Sequence, residues 1–271
     1  AASDVYKRQT STLTAIFLAW YHSACKPSFR PASGASWTNP VCEILPERRP
    51  KPHTNQKSIG YFPMRGAMRV LEVQPVTLTG RSVRLEPLSE SHTGDLAEVG
   101  LDDRIWKYMR YGKVEGSADL LRWIRMLLQR RAAGTDLPFA VIYQPTQKAV
   151  GVTRYLNIEP ANFGLEIGGT WYGLDYQRTA VNTESKYLLL RHAFEELGCI
   201  RVQLKTDARN ERSRIAIERL GAVREGVLRN HVILPDGTVR SSIVYSVLAE
   251  EWPAVRANLV EKMQTGSLAS K

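Results

Sequence analysis

The feature that most constrains this fold is an α-β-α run in the second half of the sequence. Residues 183–197 carry apolar side chains at helical spacing, and Gly198 follows where helices commonly end. Residues 200–205 alternate apolar and polar side chains, which is typical of a strand with one buried face. Asn210 is placed to cap a short helix that ends at Gly221. A strand that returns between two helices predicts a crossover connection, and therefore a parallel pair in the sheet.

Strand patterns flank this run on both sides. Alternating or β-prone stretches lie at residues 83–88, 139–143, 149–158, 165–172, 223–233 and 238–248. The last two are joined by a Pro-Asp-Gly turn, which favours a hairpin. Helical spacing predicts two earlier helices at 89–99, with Ser89 as a plausible N-cap, and at 118–132. The chain is therefore predicted to be α+β, with a mixed, largely antiparallel sheet flanked by helices.

The basic residues are unevenly distributed along the chain. Of 37 Lys and Arg residues nine fall in residues 1–67, against three of the 27 Asp and Glu residues. That stretch has no helical or strand period, so we interpret it as an extension without a core, disordered or artefactual, and place the domain at residues 68–271. An adapter-derived origin is suggested by residues 4–9, which a transposase-type library adapter could encode. A short apolar run at residues 13–20 leaves a signal peptide as the alternative.

Several function classes are disfavoured by composition. No apolar run reaches the roughly 20 residues that a membrane-spanning helix needs. Three widely spaced cysteines form neither a disulfide framework nor a zinc motif, so no metal is expected. Outside the extension the chain shows no basic stripe, which makes a nucleic-acid partner a weak hypothesis. We expect a cytoplasmic protein without nucleic-acid or membrane partners, as a monomer or a homodimer.

The segment that carries chemistry is the strand-to-helix junction at residues 171–184. The first amides of a helix lack intrahelical acceptors, and the helix dipole adds partial positive charge there. Amides from Arg178 to Thr183 could therefore bind an anion such as a diphosphate, with Arg178 adding a full charge. The alternative is an ordinary capped helix start, with Asn182 or Thr183 as the N-cap.

The run Gln177-Arg-Thr-Ala-Val-Asn182 resembles the Gln/Arg-x-x-Gly-x-Gly/Ala loop of the Gcn5-related N-acetyltransferases (GNAT). Ala180 stands where Gly is usual, and Asn182 where Gly or Ala is usual. Further pieces occur in the family's order, at residues 182–184, 191–198, 201–204, 210–221, 225–229, 236–237 and 251–252. Together they are similar to the branch of ribosomal-protein N-terminal acetyltransferases (RimJ/RimL-like), over about residues 76–260.

This resemblance implies acetyl-coenzyme A as cosubstrate and direct attack of a primary amine on its thioester. The amine would belong to a peptide or protein N-terminus or to a small molecule. The parallel strands at 165–172 and 200–205 should splay apart around the pantetheine arm. The cofactor-binding residues implied are Thr170, Trp171, Gln177, Arg178, Thr179, Ala180, Val181, Asn182, Thr183, Asn210 and Ser213.

Glu166 is the candidate general base, because relatives often keep a carboxylate on this strand. The alternative is a structural carboxylate that pairs with a nearby arginine. Ile217 occupies the position where many relatives carry the Tyr or Ser that protonates the leaving thiolate. Water or Ser213 could replace that hydroxyl, and the general acid stays unassigned. A coenzyme A-binding module with little catalytic activity is therefore the second reading, and Cys199 is expected to be a core residue.

Overall fold

The computed structural model describes residues 70–266, and the predicted extension at residues 1–67 lies outside the described residues. Within this range the sheet has eight strands, in the order β1-β2-β3-β4-β5-β6-β8-β7. They are β1 Leu78–Thr79, β2 Val83–Pro87, β3 Leu137–Tyr143, β4 Lys148–Glu159, β5 Gly164–Tyr172, β6 Arg201–Asp207, β7 Val223–Ile233 and β8 Val239–Leu248. Only β5 and β6 pair in parallel among these strands, which confirms the predicted mixed sheet with one crossover.

Six α-helices connect or cover the described strands. They are α1 Thr93–Gly100, α2 Asp103–Trp106, α3 Ser117–Ala132, α4 Ala180–Arg191, α5 Glu211–Leu220 and α6 Trp252–Gly266. A π-helical turn, His192–Glu196, continues α4 up to Gly198, whose φ of 70° ends the helical run. In the part of the chain that the structure describes, no helix combines the length and apolar character needed to span a bilayer.

The predicted elements are found at nearly the predicted positions, with two exceptions of consequence. Helix α4 begins at Ala180 and not at residue 183, because Thr179 caps it. Helix α6 was not predicted, although Trp252, Val255 and Leu259 bury one face of it. Its apolar stripe is short. Pro253, the second residue of the helix, gives no clear signal, because proline occurs at helix starts and also where helices are interrupted.

Each face of the sheet carries its own apolar cluster. Leu188 and Leu189 of α4 and Leu259 of α6 belong to the cluster on one face. The second cluster unites α1 and α3 with the other face, around Trp106, Trp123 and Trp171, whose ring centroids lie 5.5 to 6.1 Å apart. Both faces of the sheet are thus covered near β4 and β5. These two strands therefore lie between two layers of helices.

Glu184 ties α4 to the N-terminal hairpin. Its carboxylate accepts hydrogen bonds from the backbone N–H groups of residues 81, 82 and 83, at 2.5, 2.7 and 3.0 Å. A Cβ atom at Gly80 would lie 2.6 Å from Glu184 Oε1, so this turn approaches the carboxylate closely only because residue 80 is glycine. The buried carboxylate therefore satisfies three turn amides at once.

Replacing Glu184 with glutamine is expected to lower the free energy of unfolding by about 2–3 kcal/mol. The amide NH₂ group cannot accept, so at least one turn N–H loses its partner in a buried place. Urea unfolding of the full-length chain measures the loss, with Glu250→Gln on the exposed surface as the matched control. Equal midpoints for E184Q and the wild type would contradict the anchoring role.

Candidate active site

Strands β5 and β6 pair only at one end. Their register joins Gly164 to Arg201, Leu165 to Val202 and Glu166 to Gln203, and no further pair follows. Both strands continue, to Tyr172 and Asp207, so they diverge beyond Glu166. The backbone of β5 that faces this gap has no strand partner, and it can pair with an extended ligand as it would with another strand.

Beyond the last β5–β6 pair, β5 contains a bulge. The β4–β5 register passes from Val152–Trp171 to Arg154–Gly168, so β5 has one residue more than β4 between these two pairs. Gly169 adopts a φ of 57° at this point. A bulge turns backbone groups out of the ladder, which makes their N–H groups available toward the gap. This is where the sequence implied the contacts of Thr170 and Trp171.

Their side chains point elsewhere. Trp171 lies in the aromatic cluster of the α1–α3 face, and Thr170 Oγ1 bonds Thr153 and Lys186 on the α4 face. Only the backbone of both residues can therefore contact a ligand in the gap.

The loop after β5 leads directly into the N-terminus of α4. Thr179 is the N-cap: its Oγ1 accepts from Val181 N at 3.2 Å and donates to the Tyr176 carbonyl oxygen at 2.7 Å. The expectation that Asn182 or Thr183 caps the helix is therefore wrong. Both lie in the first turn, partly exposed.

The residues of this loop divide by exposure. Arg178, with a φ of 63°, and Ala180 are exposed, whereas the Val181 side chain is buried in the core. The left-handed backbone at Arg178 followed by a helix start turns successive N–H groups toward one side, as in anion-binding loops. Ala180 is the first helical residue, where a negative φ is normal, so the structure does not require glycine there.

Two side chains brace this loop against its neighbours. Gln177 Nε2 donates to the Tyr172 carbonyl oxygen at 3.0 Å, and Gln177 Oε1 accepts from Arg212 Nη2 at 2.7 Å. Gln177 therefore acts through its side chain as a strut between β5 and α5. Arg212 brings a second exposed guanidinium to the site beside Arg178, and sequence analysis did not single it out. It is the second residue of a separate helix, so no local sequence pattern signals this contact.

The N-terminus of α5 faces the same gap from the β6 side. Asn210 is its N-cap, as predicted: its Oδ1 accepts from Ser213 N at 3.1 Å. The Nδ2 group of Asn210 and the Ser213 hydroxyl make no hydrogen bond within residues 70–266, and both are partly exposed. They can therefore serve a ligand while the cap stays intact.

Glu166 lies at the point where β5 and β6 separate. Its side chain is 5% exposed, and its Oε2 accepts from Lys205 Nζ at 2.9 Å, Asn157 Nδ2 at 2.9 Å and Gln203 Nε2 at 3.0 Å. The ion-pair partner is thus a lysine and not an arginine. Oε1 lies beside Gly168 and makes no hydrogen bond with the described residues. Three donors thus hold one oxygen of Glu166, and the other has no hydrogen-bond donor among the described residues.

A diphosphate fits the α4 N-terminus on the chemistry of its groups. Loop amides and the helix dipole meet there, the loop carries the exposed Arg178, and Gln177 brings the exposed Arg212 next to the loop. A family model described as "Acetyltransferase (GNAT) domain" matches residues 82–223, which include the gap, the loop and both helix N-termini. The chain belongs to the GNAT acetyltransferase family.

Relatives of this GNAT chain include a protein of Bacillus subtilis (strain 168) named "Putative ribosomal N-acetyltransferase YdaF". It is 27% identical over 170 residues, 62% of this chain and 90% of that protein. The crystal structure of a GCN5-related N-acetyltransferase from Brucella melitensis matches with 28% identity and a TM-score of 0.68, over 73% of this chain and 89% of that one. Mycobacterium smegmatis RimJ in complex with CoA-disulfide matches with 21% identity and a TM-score of 0.60, over 69% and 94%, which supports the fold alone.

The family match establishes the GNAT chain as an N-acetyltransferase, as the sequence predicted, and the similar proteins include one named as a ribosomal N-acetyltransferase. Its departure at Ile217 has a clear structural setting. Ile217 is 7% exposed and belongs to the apolar cluster on the α4–α6 face. It fills the core and supplies no hydroxyl to the gap. Burial raises the pKa of the Cys199 thiol to about 12, which agrees with its expected role as a core residue.

Two buried cations lie near the bulge of this GNAT chain, and neither was predicted from the sequence. Arg154 pairs with Asp136, Nη1 to Oδ2 at 3.1 Å, on the α1–α3 face. Lys186 of α4 donates to Thr170 Oγ1 at 2.7 Å on the opposite face. The position of Lys186 was the available signal, because it lies four residues before Leu190 on the apolar stripe of α4.

Proposed function

We propose that this protein transfers an acetyl group from acetyl-coenzyme A to a primary amine, at a peptide or protein N-terminus or on a small molecule. The observation that carries the proposal is the opening of β5 from β6, which leads without interruption into the N-terminus of α4. An extended arm with amides can pair with β5, and a diphosphate can occupy the helix start. Coenzyme A contains both an amide-bearing extended arm and a diphosphate. They follow one another along the molecule as the gap and the helix start follow one another in the protein.

The bound cosubstrate supplies an activated acetyl thioester, and the protein's residues do the rest. The bulged backbone of β5 offers N–H donors toward the gap, where negative charge would develop on the carbonyl oxygen. Glu166 Oε1 is available to take a proton from the acceptor's ammonium, directly or through water, so that the free amine can attack the thioester carbonyl carbon. Arg178, Arg212 and the amides at Ala180 hold the diphosphate.

The acceptor is proposed from the relatives' names and from chemistry. A relative is named as a ribosomal N-acetyltransferase, which supports a protein N-terminus as the acceptor and the cytoplasm as the location. Glu166 at the gap suits any primary amine, so small amines stay in the proposal. The general acid is proposed to be Ser213 or water, because a thiolate whose conjugate acid has an ordinary thiol pKa leaves readily.

A second candidate function is coenzyme A binding with little catalysis, which the buried apolar Ile217 favours. One experiment separates the two. The full-length chain is mixed with acetyl-coenzyme A and a panel of peptides with different first residues, polyamines and aminoglycosides. Free thiol and the acetylated mass are followed together. We expect thiol release and a mass gain of one acetyl group for at least one acceptor. Binding of coenzyme A by calorimetry without turnover on any acceptor would favour the second candidate.

A further inference from the structure

Lys186 is a buried lysine without an anionic partner. It is 6% exposed, and its Nζ contacts two hydroxyl oxygens, Thr170 Oγ1 at 2.7 Å and Thr153 Oγ1 at 3.4 Å. Among the described residues no carboxylate pairs with it. Burial lowers the pKa of Lys186 to about 7. Lysines are rarely buried unpaired because desolvation of the ammonium is costly, so a lysine kept at such a place calls for a specific role.

The contact of Lys186 lies on the bulge of β5. Thr170 is in the segment that carries the extra residue, next to Gly169 with its left-handed backbone. Thr170 Oγ1 also bonds Thr153 Oγ1 at 2.8 Å, so the ammonium and the two hydroxyls form a closed triangle. This triangle fixes the side of the bulge that faces α4. It therefore restrains the backbone that lines the open part of the gap.

A second buried cation meets the same bulge from the other face of the sheet. Arg154 Nε lies 2.6 Å from the place that a Cβ at Gly169 would occupy. Arg154 Nε and Nη1 are buried and make no hydrogen bond with the described residues, although Asp136 is paired with this guanidinium. Thr153 and Arg154 are consecutive on β4 and hence point to opposite faces. The bulge therefore lies between Lys186 and Arg154, and of these two cations only Arg154 is paired with a carboxylate, that of Asp136.

We propose that Lys186 is a positioning residue for acetyl transfer, an inference that rests on the proposed function. Its ammonium holds Thr170, and through Thr170 the bulged backbone at residues 168–170, in the shape that turns N–H groups toward the gap. Its charge, which no carboxylate among the described residues neutralises, stabilises the negative charge that develops on the thioester carbonyl oxygen. In a site with little water, such a fixed charge acts strongly because few solvent dipoles screen it.

Other titratable groups around Lys186 are few. Tyr155 of β4 and Tyr172 of β5 are buried, and burial raises the pKa of both above its ordinary value, so they stay neutral. Burial lowers the pKa of His192, at the end of α4. Glu184 is bound to the turn at residues 81–83, and Arg256 of α6 pairs with Glu195. Among these groups Lys186 is the one whose pKa burial brings to about 7.

Lys186→Met is the variant that tests the inference, because methionine keeps the length of the side chain and removes the ammonium. We expect affinity for coenzyme A and the acceptor KM to change less than threefold. The kcat should fall about 10- to 100-fold at pH 6.5. The free variant should melt at a higher temperature than the wild type at pH 7, because a buried ammonium has been removed. Lower kcat with higher stability is a combination that a purely structural lysine would not produce.

The decisive readout is the ratio of wild-type to K186M kcat between pH 5.5 and 9.5. Titration of the acceptor affects both enzymes and cancels in this ratio. The wild-type advantage should be largest at the acidic end of this range, where Lys186 is charged, and it should decline as the pH rises through about 7. Thr170→Val should lower kcat, and the double variant should be no worse than K186M, because both changes break one contact.

A ratio that is constant over this pH range, or a K186M kcat equal to the wild type, would overturn the inference and leave the proposed function standing. Absence of turnover by the wild type on every acceptor would overturn both. Stability gives a test that needs no acceptor. The unfolded chain keeps the lysine proton up to about pH 10.4 and the native state loses it near pH 7. Wild type should therefore gain stability relative to K186M between pH 7 and 10, and parallel curves would count against the unpaired ammonium.

Discussion

Ala180→Asp is expected to weaken coenzyme A binding by about 10²- to 10³-fold while leaving the free protein at least as stable as the wild type. Residue 180 is the exposed first residue of α4. A carboxylate there interacts favourably with the helix dipole, which is worth about 0.3–1 kcal/mol. The same carboxylate takes the place proposed for the diphosphate and repels it. Stability and affinity should therefore move in opposite directions.

Calorimetry with coenzyme A and thermal melting of the free protein measure both effects. Ser117→Asp is the matched control, because Ser117 is the exposed first residue of α3 and receives the same charge at the same helix position. It should gain similar stability without loss of affinity. Ala180→Gly, which restores the residue usual in the family, should keep binding. Affinity of A180D within threefold of the wild type would place the diphosphate elsewhere.

The sequence predicted most of the fold because its signals are local. The alternation at residues 200–205 and the glycines at 198 and 221 depend on neighbours within a few positions, and Gly198 and Gly221 both adopt the left-handed backbone of helix ends. The π-helical turn at His192–Glu196 and the short α2 helix were not predicted, since neither has a period of its own. Helix α6 was not predicted because its apolar stripe is short, and the packing that buries Trp252, Val255 and Leu259 exists only in the folded protein.

The sequence predicted where the segments of the candidate site lie along the chain better than it predicted which side chains contact one another. The loop at residues 177–183 follows from chain order, and the structure places Asn210 at the α5 cap as predicted, whereas Thr179 caps α4 against expectation. Side-chain contacts between neighbouring strands cannot be predicted from chain order. Lys205 reaches Glu166 because β5 and β6 share a register of three residues, which is a property of the folded sheet. The same holds for Thr170, whose side chain turns away from the gap.

Glu166 can be a structural carboxylate or a general base, and its two oxygens have different surroundings that bear on this choice. Oε2 receives an ammonium and two amide donors, as a structural carboxylate would. Oε1 has no partner among the described residues and lies beside Gly168, just before the bulge. A carboxylate whose only role was to close the end of the gap would be expected to use both oxygens. The free oxygen is therefore the argument for a base.

Glu166→Gln tests this argument, and we expect kcat to fall about 10²- to 10⁴-fold with unchanged coenzyme A affinity. The amide keeps an oxygen for Lys205 but cannot accept a proton. The loss should be largest at low pH, where an α-amine acceptor is an ammonium that must be deprotonated. It should shrink as the pH passes the acceptor's pKa of about 8, because the free amine then needs no base for attack.

The comparison runs from pH 6 to 10 on one peptide acceptor, with thiol release as the readout. Glu225→Gln is the control, since Glu225 is also a strand carboxylate in an ion pair, with Arg201, but sits on β7 outside the gap. A structural role for Glu166 predicts the reverse pattern: E166Q unfolds more easily, because Lys205 loses its anion, and turns over at the wild-type rate once folded. A loss in kcat that does not shrink as the pH passes the acceptor's pKa would contradict removal of the acceptor's ammonium proton as the role of Glu166.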